Sequence, residues 1–343
     1  MMTLTRPVLW LGRPASVRAA PNRVWDYVRM SQNTGVQVKF SFHPTFHVPT
    51  LEEAEEFFDR AFGYPSVLMQ TIPDDKPIEV GHLRGYSKMV MIRDVLIDYV
   101  CPSLHRVKGK QAFADVDKPV LLNIGWYSDD ITATFRALRA AGVPLVDQLG
   151  QPAEGDEPPT PNQGGAIKMF FTPADRVGLR YQFMETFPMR LDPRLTPGWT
   201  LPPVSDDDPL GLVHLSHHVI LTADPDRAVN FMRAVGGEVI HEGRDEQRGL
   251  SGPYVRLADA IYHYAVPDAG TAAAEVLAAK VPADKFHAMT FRVTDLDRAA
   301  GHLEKAGVGV ASRTGDTLVT DPATSLEVPW GFTTAAVPGD DRG

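Results

Sequence analysis

Cysteine is nearly absent from this chain: Cys101 is the only one in 343 residues. A single thiol excludes an intrachain disulfide and fits a reducing cytoplasm, and the lack of any CxxC pair excludes a thiolate zinc site. Positive charge is also in short supply, with 34 Lys and Arg against 43 Asp and Glu, a formal net charge of −9. That balance argues against a nucleic-acid surface, which needs clustered basic residues to neutralise phosphates. Long apolar runs are missing too. No stretch approaches the ~20 residues of a membrane helix, so neither a membrane nor a nucleic acid is an expected partner. The opening stretch, MMTLTRPVLWLGRPASVRAA, sets arginines within its apolar residues, which argues against a secretory signal. What remains is 43% hydrophobic and 22% charged, the balance of a globular protein long enough for two domains, each with its own core.

A fourfold internal repeat organises those residues. Each unit reads as a strand, an amphipathic helix ending at glycine, and further strands. Residues 93–102 (RDVLIDYVCP) align without gaps with 258–267 (ADAIYHYAVP), and 138–143 (LRAAGV) with 303–308 (LEKAGV). In the first unit VQVKFSF (36–42) alternates with period two, and Thr50 precedes a helix with Ala54, Phe57, Phe58, Ala61 and Phe62 on one face and Gly63 at its end. One such unit leaves a face of its curved sheet open, so units should pair into two domains, each enclosing a cleft. The expected division is an N-terminal extension (1–35), a first domain (36–187), a Pro- and Asp-rich linker (188–210), a second domain (211–335) and a tail (336–343), disordered after Pro338. The polar, proline-rich stretch 150–165 reads as a surface excursion within the second unit.

Three segments carry a family resemblance: LSHHVIL (215–221) followed by DPDRA (224–228), FRVTDLDRA (291–299), and DPATSLEV (321–328). Together with the repeat they resemble the vicinal oxygen chelate superfamily, which includes glyoxalase I, methylmalonyl-CoA epimerase, bleomycin and fosfomycin resistance proteins and extradiol dioxygenases. The resemblance spans roughly 36–335. It implies an α+β fold of four βαβββ modules paired into two glyoxalase-like domains. It also implies one divalent metal (Fe, Mn, Zn, Co or Ni), held by side chains from the first and last strands of each module. Such an ion binds two neighbouring substrate oxygens and stabilises an enediolate or presents a catecholate to dioxygen. A homodimer is the family's habit and is expected on that basis alone.

Carried onto this chain, the first-strand slots hold His43, Asn123, His217 and Ala288, and the last-strand slots Asp98, Gln182, His263 and Glu327. The expected metal set is therefore His217, His263 and Glu327, two imidazoles and a carboxylate. His218, one residue of register away, is an alternative ligand or a substrate contact. Arg292 shares a strand face with Ala288 and should bind substrate, and His287 is the candidate proton-transfer residue, with a cleft tyrosine as its rival. The N-terminal slots (His43, Asp98, Asn123, Gln182, with His47 nearby) include two amides, poor ligands for a transition metal, so the C-terminal cleft is favoured and the N-terminal one stays open as the alternative site for metal or a polar ligand. A lone strand histidine is more often structural than a ligand, and an edge glutamate is more often simply exposed; three in the expected slots favour the site.

Three functions stay open. The first is an isomerase or epimerase acting on a hydroxy-ketone or sugar-like small molecule through a metal-stabilised enediolate; the layout also resembles bacterial cyclitol epimerases acting on 2-epi-5-epi-valiolone. The second is an extradiol dioxygenase using Fe(II) or Mn(II). Against it, Ala288 replaces a metal-binding histidine, and Leu318 stands where that family has a substrate-binding tyrosine. The third is a protein that binds a small molecule without turnover.

Overall fold

Thr50, Asp130, Asp224 and Asp295 each stand at a helix N-terminus and accept a backbone N–H of the first turn, so the four repeats begin their helices with the same device. Four glycines in the left-handed region stop the chain after those helices: Gly63 (φ 77°), Gly142 (78°), Gly236 (97°) and Gly307 (70°). A computed structural model describes residues 35–68, 85–107, 109–160, 167–186 and 192–342. All but the last residue of the expected N-terminal extension lies outside them.

The first unit comprises β1 (Phe40–His47), α1 (Leu51–Phe57, continued by a π turn to Phe62), β2 (Ser66–Leu68), β3 (Ser87–Ile92) and β4 (Val95–Val100). A small hairpin, β5 (Arg106–Val107) and β6 (Lys110–Gln111), leads to the second unit. That unit has β7 (Val120–Ser128), α2 (Ile131–Ala140), β8 (Met169–Phe171), α3 (Ala174–Val177) and β9 (Arg180–Glu185). The third has β10 (Leu212–Leu221), α4 (Pro225–Ala234), β11 (Glu238–Asp245), β12 (Leu250–Leu257) and β13 (Ala260–Pro267). After α5 (Ala272–Ala278), the fourth has β14 (Lys285–Val293), α6 (Leu296–Lys305), β15 (Val310–Arg313), β16 (Thr317–Thr320) and β17 (Gly331–Thr333).

Units pair through their first strands, as the repeat implies. One sheet runs β2-β3-β4-β1-β7-β9-β8 and the other β11-β12-β13-β10-β14-β17-β16-β15, with β1 antiparallel to β7 and β10 antiparallel to β14. The second unit departs from the pattern by one strand. In the missing strand's place Val146 makes single bridges to Phe171 and Pro152. Prolines at 144, 152, 158 and 159 remove the N–H groups that a continuous ladder would need.

Two separate cores are not what forms. The helices α1, α2, α4 and α6 lie between the two sheets, whereas α5 packs on the other face of the second sheet against Val219, Leu221 and Ala288; one continuous core joins Phe57, Phe62 and Phe135 to Phe231, Leu303 and Trp330. Hydrogen bonds cross it: Trp126 Nε1 donates to Tyr262 Oη at 2.7 Å, and the Tyr181 and Tyr264 hydroxyls meet at 2.7 Å. The opposite face of each sheet is thereby left to form a cleft.

Two equivalent turns lock the sheets in register. Arg93 (φ 57°) and Ala258 (φ 53°) are both left-handed, and the aspartates that follow reach across. Asp94 Oδ1 accepts from Leu215 N and Asp259 Oδ1 from Ser41 N, each at 2.7 Å. Two Asp-x-Arg segments reinforce these turns. Arg194, paired with Asp192, donates to the carbonyls of Ser41, Phe42 and Asp94; Arg342, paired with Asp340, donates to those of Ser216 and Asp259. The tail expected to be disordered is instead held against the sheet, because its arginine satisfies backbone carbonyls beside β10. No helix among the described residues is long and apolar enough to cross a membrane.

Candidate functional site

Strand register identifies equivalent positions without reference to any motif. Thr45 pairs with Asp98 and Asn123, and His43 with Gly125, which pairs with Gln182. In the second sheet Val219 pairs with His263 and Ala288, and His217 with Thr290, which pairs with Gly331. The four slots of the first cleft are thus His43, Asp98, Asn123 and Gln182, and those of the second are His217, His263, Ala288 and Gly331. Seven of the eight coincide with the residues assigned from sequence. The eighth does not.

Glu327 is the exception, and the correction has a clear cause. Leu326 (φ 55°) and Glu327 (φ 58°) are successive left-handed residues in a turn, so the Leu-Glu pair that resembles a closing strand is not in a strand at all. Three further residues, ending in the fully buried Trp330, bring the chain to β17. The Glu327 carboxylate is 40% exposed and pairs with Lys118 at 3.0 Å, away from the cleft.

The C-terminal cleft holds a cavity of about 510 Å³ whose walls include His217, Tyr254, Arg248, Gln247 and Thr290. Threonine hydroxyls 314, 317 and 333 and the tail residues Ala335 to Pro338 complete the rim. His241, Tyr254 and His263 lie side by side on β11, β12 and β13. The Tyr254 ring stacks on His263 at 4.0 Å and meets His217 edge-on at 5.3 Å, while the two imidazoles are 6.1 Å apart by ring centre. His217 Nδ1 shares a hydrogen bond with Ser216 Oγ at 3.1 Å; its Nε2 and both nitrogens of His263 have no protein partner.

Electrostatics keep these rings neutral. Burial, then the neighbouring His263 and the Arg248 guanidinium, hold His217 well below the ordinary imidazole range, and burial brings His263 to about 4. Burial also holds the Tyr254 phenol above its usual range, so it keeps its proton.

Arg248 takes the place left by the fourth slot. Gly331 has no side chain, and a Cβ there would collide with Arg248 Nη2 and the Thr290 hydroxyl. The guanidinium donates to Asp245 Oδ2 at 2.6 Å and, through longer bonds of 3.2 and 3.4 Å, to Pro329 O and Thr290 Oγ1. Asp245 fixes the turn by accepting from the backbone N–H groups of Gln247 and Arg248. Sequence reading missed Arg248 because it lies in the β11–β12 turn, outside every ligand slot; the DEQRG run at 245–249 is its only local signal.

The residues present do not fit the divalent metal that the family resemblance implies. Among the described residues no three His, Cys, Asp or Glu side chains converge as a metal site. In the C-terminal cleft two imidazoles have free nitrogens, but the carboxylates lining the cavity are engaged. Asp245 is held by Arg248, Glu246 by Arg244 at 2.7 Å, and Asp316 by the hydroxyls of Thr314 and Thr317. The field of Arg248 that disfavours protonation of these imidazoles equally disfavours a dication. The N-terminal cleft has two ionisable slot residues, His43 and Asp98, and amides in the other two. Burial brings His43 to about 3 and lifts Asp98, which accepts from Ser87 Oγ, to about 7.

The remaining sequence-derived residues fall in different places. His218 cannot touch substrate: it pairs with Met289 and Tyr262 on the core side, is fully buried, and stacks on Tyr262 at 5.0 Å. Arg292 pairs with His214 on the cleft side but does not line the cavity. His287 sits at a register shift between Val219 and Ile220, where β14 carries an extra residue. It feels the charges of Arg248, Lys285 and Asp245 and is held near 3 chiefly by burial, yet it is not among the cavity's walls.

Comparisons with known proteins agree with the architecture. The family model described as Glyoxalase/Bleomycin resistance protein/Dioxygenase superfamily matches residues 211–333. A mutant of 4-hydroxymandelate synthase from Streptomyces coelicolor superposes with a TM-score of 0.53 at 12% identity, covering 88% of this chain and 94% of the other. A catechol 2,3-dioxygenase gives 0.50 at 14% identity, covering 89% and 91%. Methylmalonyl-CoA epimerase from Mycobacterium tuberculosis gives 0.33 at 20% identity over 36% of this chain and 88% of its own. No curated protein sequence matches the chain. The match to that family model thus covers residues 211–333, and the chain as a whole shares the paired-module fold of 4-hydroxymandelate synthase.

Proposed function

We propose that the C-terminal cleft catalyses proton transfer at a carbon next to a carbonyl, as an isomerase or epimerase of a hydroxyl-rich small molecule. One observation carries this reading. A neutral imidazole, His217, lines a cavity with its Nε2 free, beside a phenol that keeps its proton. When Nδ1–H donates to Ser216 Oγ, Nε2 presents its lone pair to the cavity. It takes the proton from the substrate carbon, the electron pair moves onto the carbonyl oxygen to give an enediolate, and the proton returns to the same or the neighbouring carbon. The Tyr254 phenol donates a hydrogen bond to substrate oxygen. Hydroxyls of Thr290, Thr314, Thr317 and Thr333 and the Gln247 amide suit a substrate with several hydroxyl groups, and a cavity of about 510 Å³ suits a small one.

Ring-cleaving dioxygenation is less well supported, since alanine and glycine stand in two of the four slots of this cleft. The test is to incubate the protein in D₂O with a panel of 2-hydroxy ketones and ketocyclitols, following C–H signals by NMR and oxygen by electrode. The reading expects loss of the proton next to the carbonyl without oxygen uptake. Oxygen uptake with catechols, and no exchange with any ketone, would contradict it.

A further inference from the structure

In this superfamily's fold a cation belongs at the centre of the cleft, where negative charge gathers on substrate oxygens. The C-terminal cleft keeps a cation there, of another kind. We infer that the Arg248 guanidinium serves as a built-in replacement for the metal ion, binding a small anion or enediolate through two neighbouring oxygens; this rests on the proposed proton-transfer site and deepens it.

Three observations converge. Gly331 vacates the fourth slot, and Arg248 Nη2 fills the space its Cβ would need. The Arg248 side chain is only 5% exposed, and its Nε–H has no acceptor, a buried donor that a bound oxygen would satisfy. Asp245 anchors Nη1, and Nη2 makes only longer bonds of 3.2 and 3.4 Å to Pro329 O and Thr290 Oγ1, so a two-oxygen ligand takes the Nε–H and displaces the Thr290 bond of Nη2. A guanidinium suits this role because its N–H groups meet two oxygens of one ligand in parallel. His217 then stands beside the bound oxygens with its Nε2 free for the adjacent carbon.

The anchoring of Arg248 explains why neighbouring groups differ from a metal site. A carboxylate in the fourth slot would neutralise the guanidinium and compete with the ligand; glycine does neither. Arg244 does not share the task, since it is paired with Asp268 at 2.6 Å and Glu246 at 2.7 Å.

Oxalate, with two vicinal anionic oxygens, is the probe. Full-length protein dialysed against chelator is titrated with oxalate by calorimetry, alone and with added Co(II). Expected are oxalate binding without metal, weakened at least about tenfold in Arg248→Gln and less in Arg248→Lys, and no stoichiometric Co(II) absorption. On the unaltered protein, the Arg248 Nε–H signal in a ¹⁵N-labelled sample should shift on oxalate addition, which keeps the test valid if the variants fold poorly. The inference is overturned if oxalate does not bind, if it binds only with Co(II), if Arg248→Gln leaves it unchanged, or if one Co(II) binds per chain and is lost in His217→Ala. Because oxalate is not turned over, the outcome is separable from failure of the proton-transfer reading, which deuterium exchange reports.

Discussion

At the scale of single residues, two slots set this cleft apart from a metal centre: alanine at 288, and glycine at 331 with Arg248 in the space it leaves. The change should be reversible. Gly331→Glu combined with Arg248→Ala and Thr290→Ala removes both side chains that a Cβ would strike and adds a carboxylate beside His217 and His263. Gly331 has no left-handed φ, so its backbone accepts a side chain. This triple variant is expected to bind one Co(II) per chain, with the visible absorption of a low-coordinate ion, whereas the unaltered protein binds none; absence of binding in a folded triple variant would contradict the assignment of the slot. Under the proposed function Ser216 orients His217 by accepting from its Nδ1–H. Ser216→Ala should lower kcat for exchange by about tenfold, in the spirit of a lost orienting hydrogen bond, with KM little changed.

At the scale of elements, much was legible in sequence because the repeat recurs in both caps and turns. Thr50, three aspartates and four glycines mark the helices by local chemistry alone, and the aligned RD and AD pairs prove to be equivalent turns whose aspartates bridge the sheets. The closing strand was not legible. DPATSLEV has the composition of a turn leading into a strand, and only the chain's three-dimensional course shows that the strand starts four residues after Glu327. The two Asp-x-Arg clasps were equally hidden, since their partners are backbone carbonyls far away in sequence. They carry a prediction of their own. Arg342→Ala removes charge-assisted bonds to Ser216 O and Asp259 O and should cost about 1–3 kcal/mol of unfolding free energy, read by urea denaturation. No change would mean that the tail contributes nothing to holding the sheets in register.

For the whole molecule, the clefts and the core are filled with imidazoles kept neutral by burial. His43 and His218 are held near 3, and His47 and His263 near 4, against 6.5 in the unfolded chain. The folded state refuses protons that the unfolded state accepts below about 6.5. Stability from these groups is therefore complete above that pH and is lost as pH falls from about 6.5 toward 4, by up to about 1.4 kcal/mol per group per pH unit. Asp98 acts in the opposite sense: raised to about 7 from 3.8, it favours the folded state most at low pH and loses that contribution as pH rises through 7. With His214, His217 and His287 also held low, seven imidazoles outnumber the four carboxylates held high (Asp94, Asp98, Asp259 and Asp284), so Tm should fall between pH 7 and pH 5, as measured by calorimetry; a Tm that rises on acidification would contradict this balance.

Under the proposed function the proton acceptor is His217, whose Nε2 is free at the cavity wall. The most direct measurement is the rate of carbon-bound proton exchange into D₂O with the best substrate of the ketone panel, in the presence of chelator, for the unaltered protein and for His217→Ala. Expected is exchange that the chelator leaves unchanged and that falls about 10²–10⁴-fold in the variant. Exchange that persists in folded His217→Ala, or that the chelator abolishes, would contradict a metal-independent proton transfer at His217.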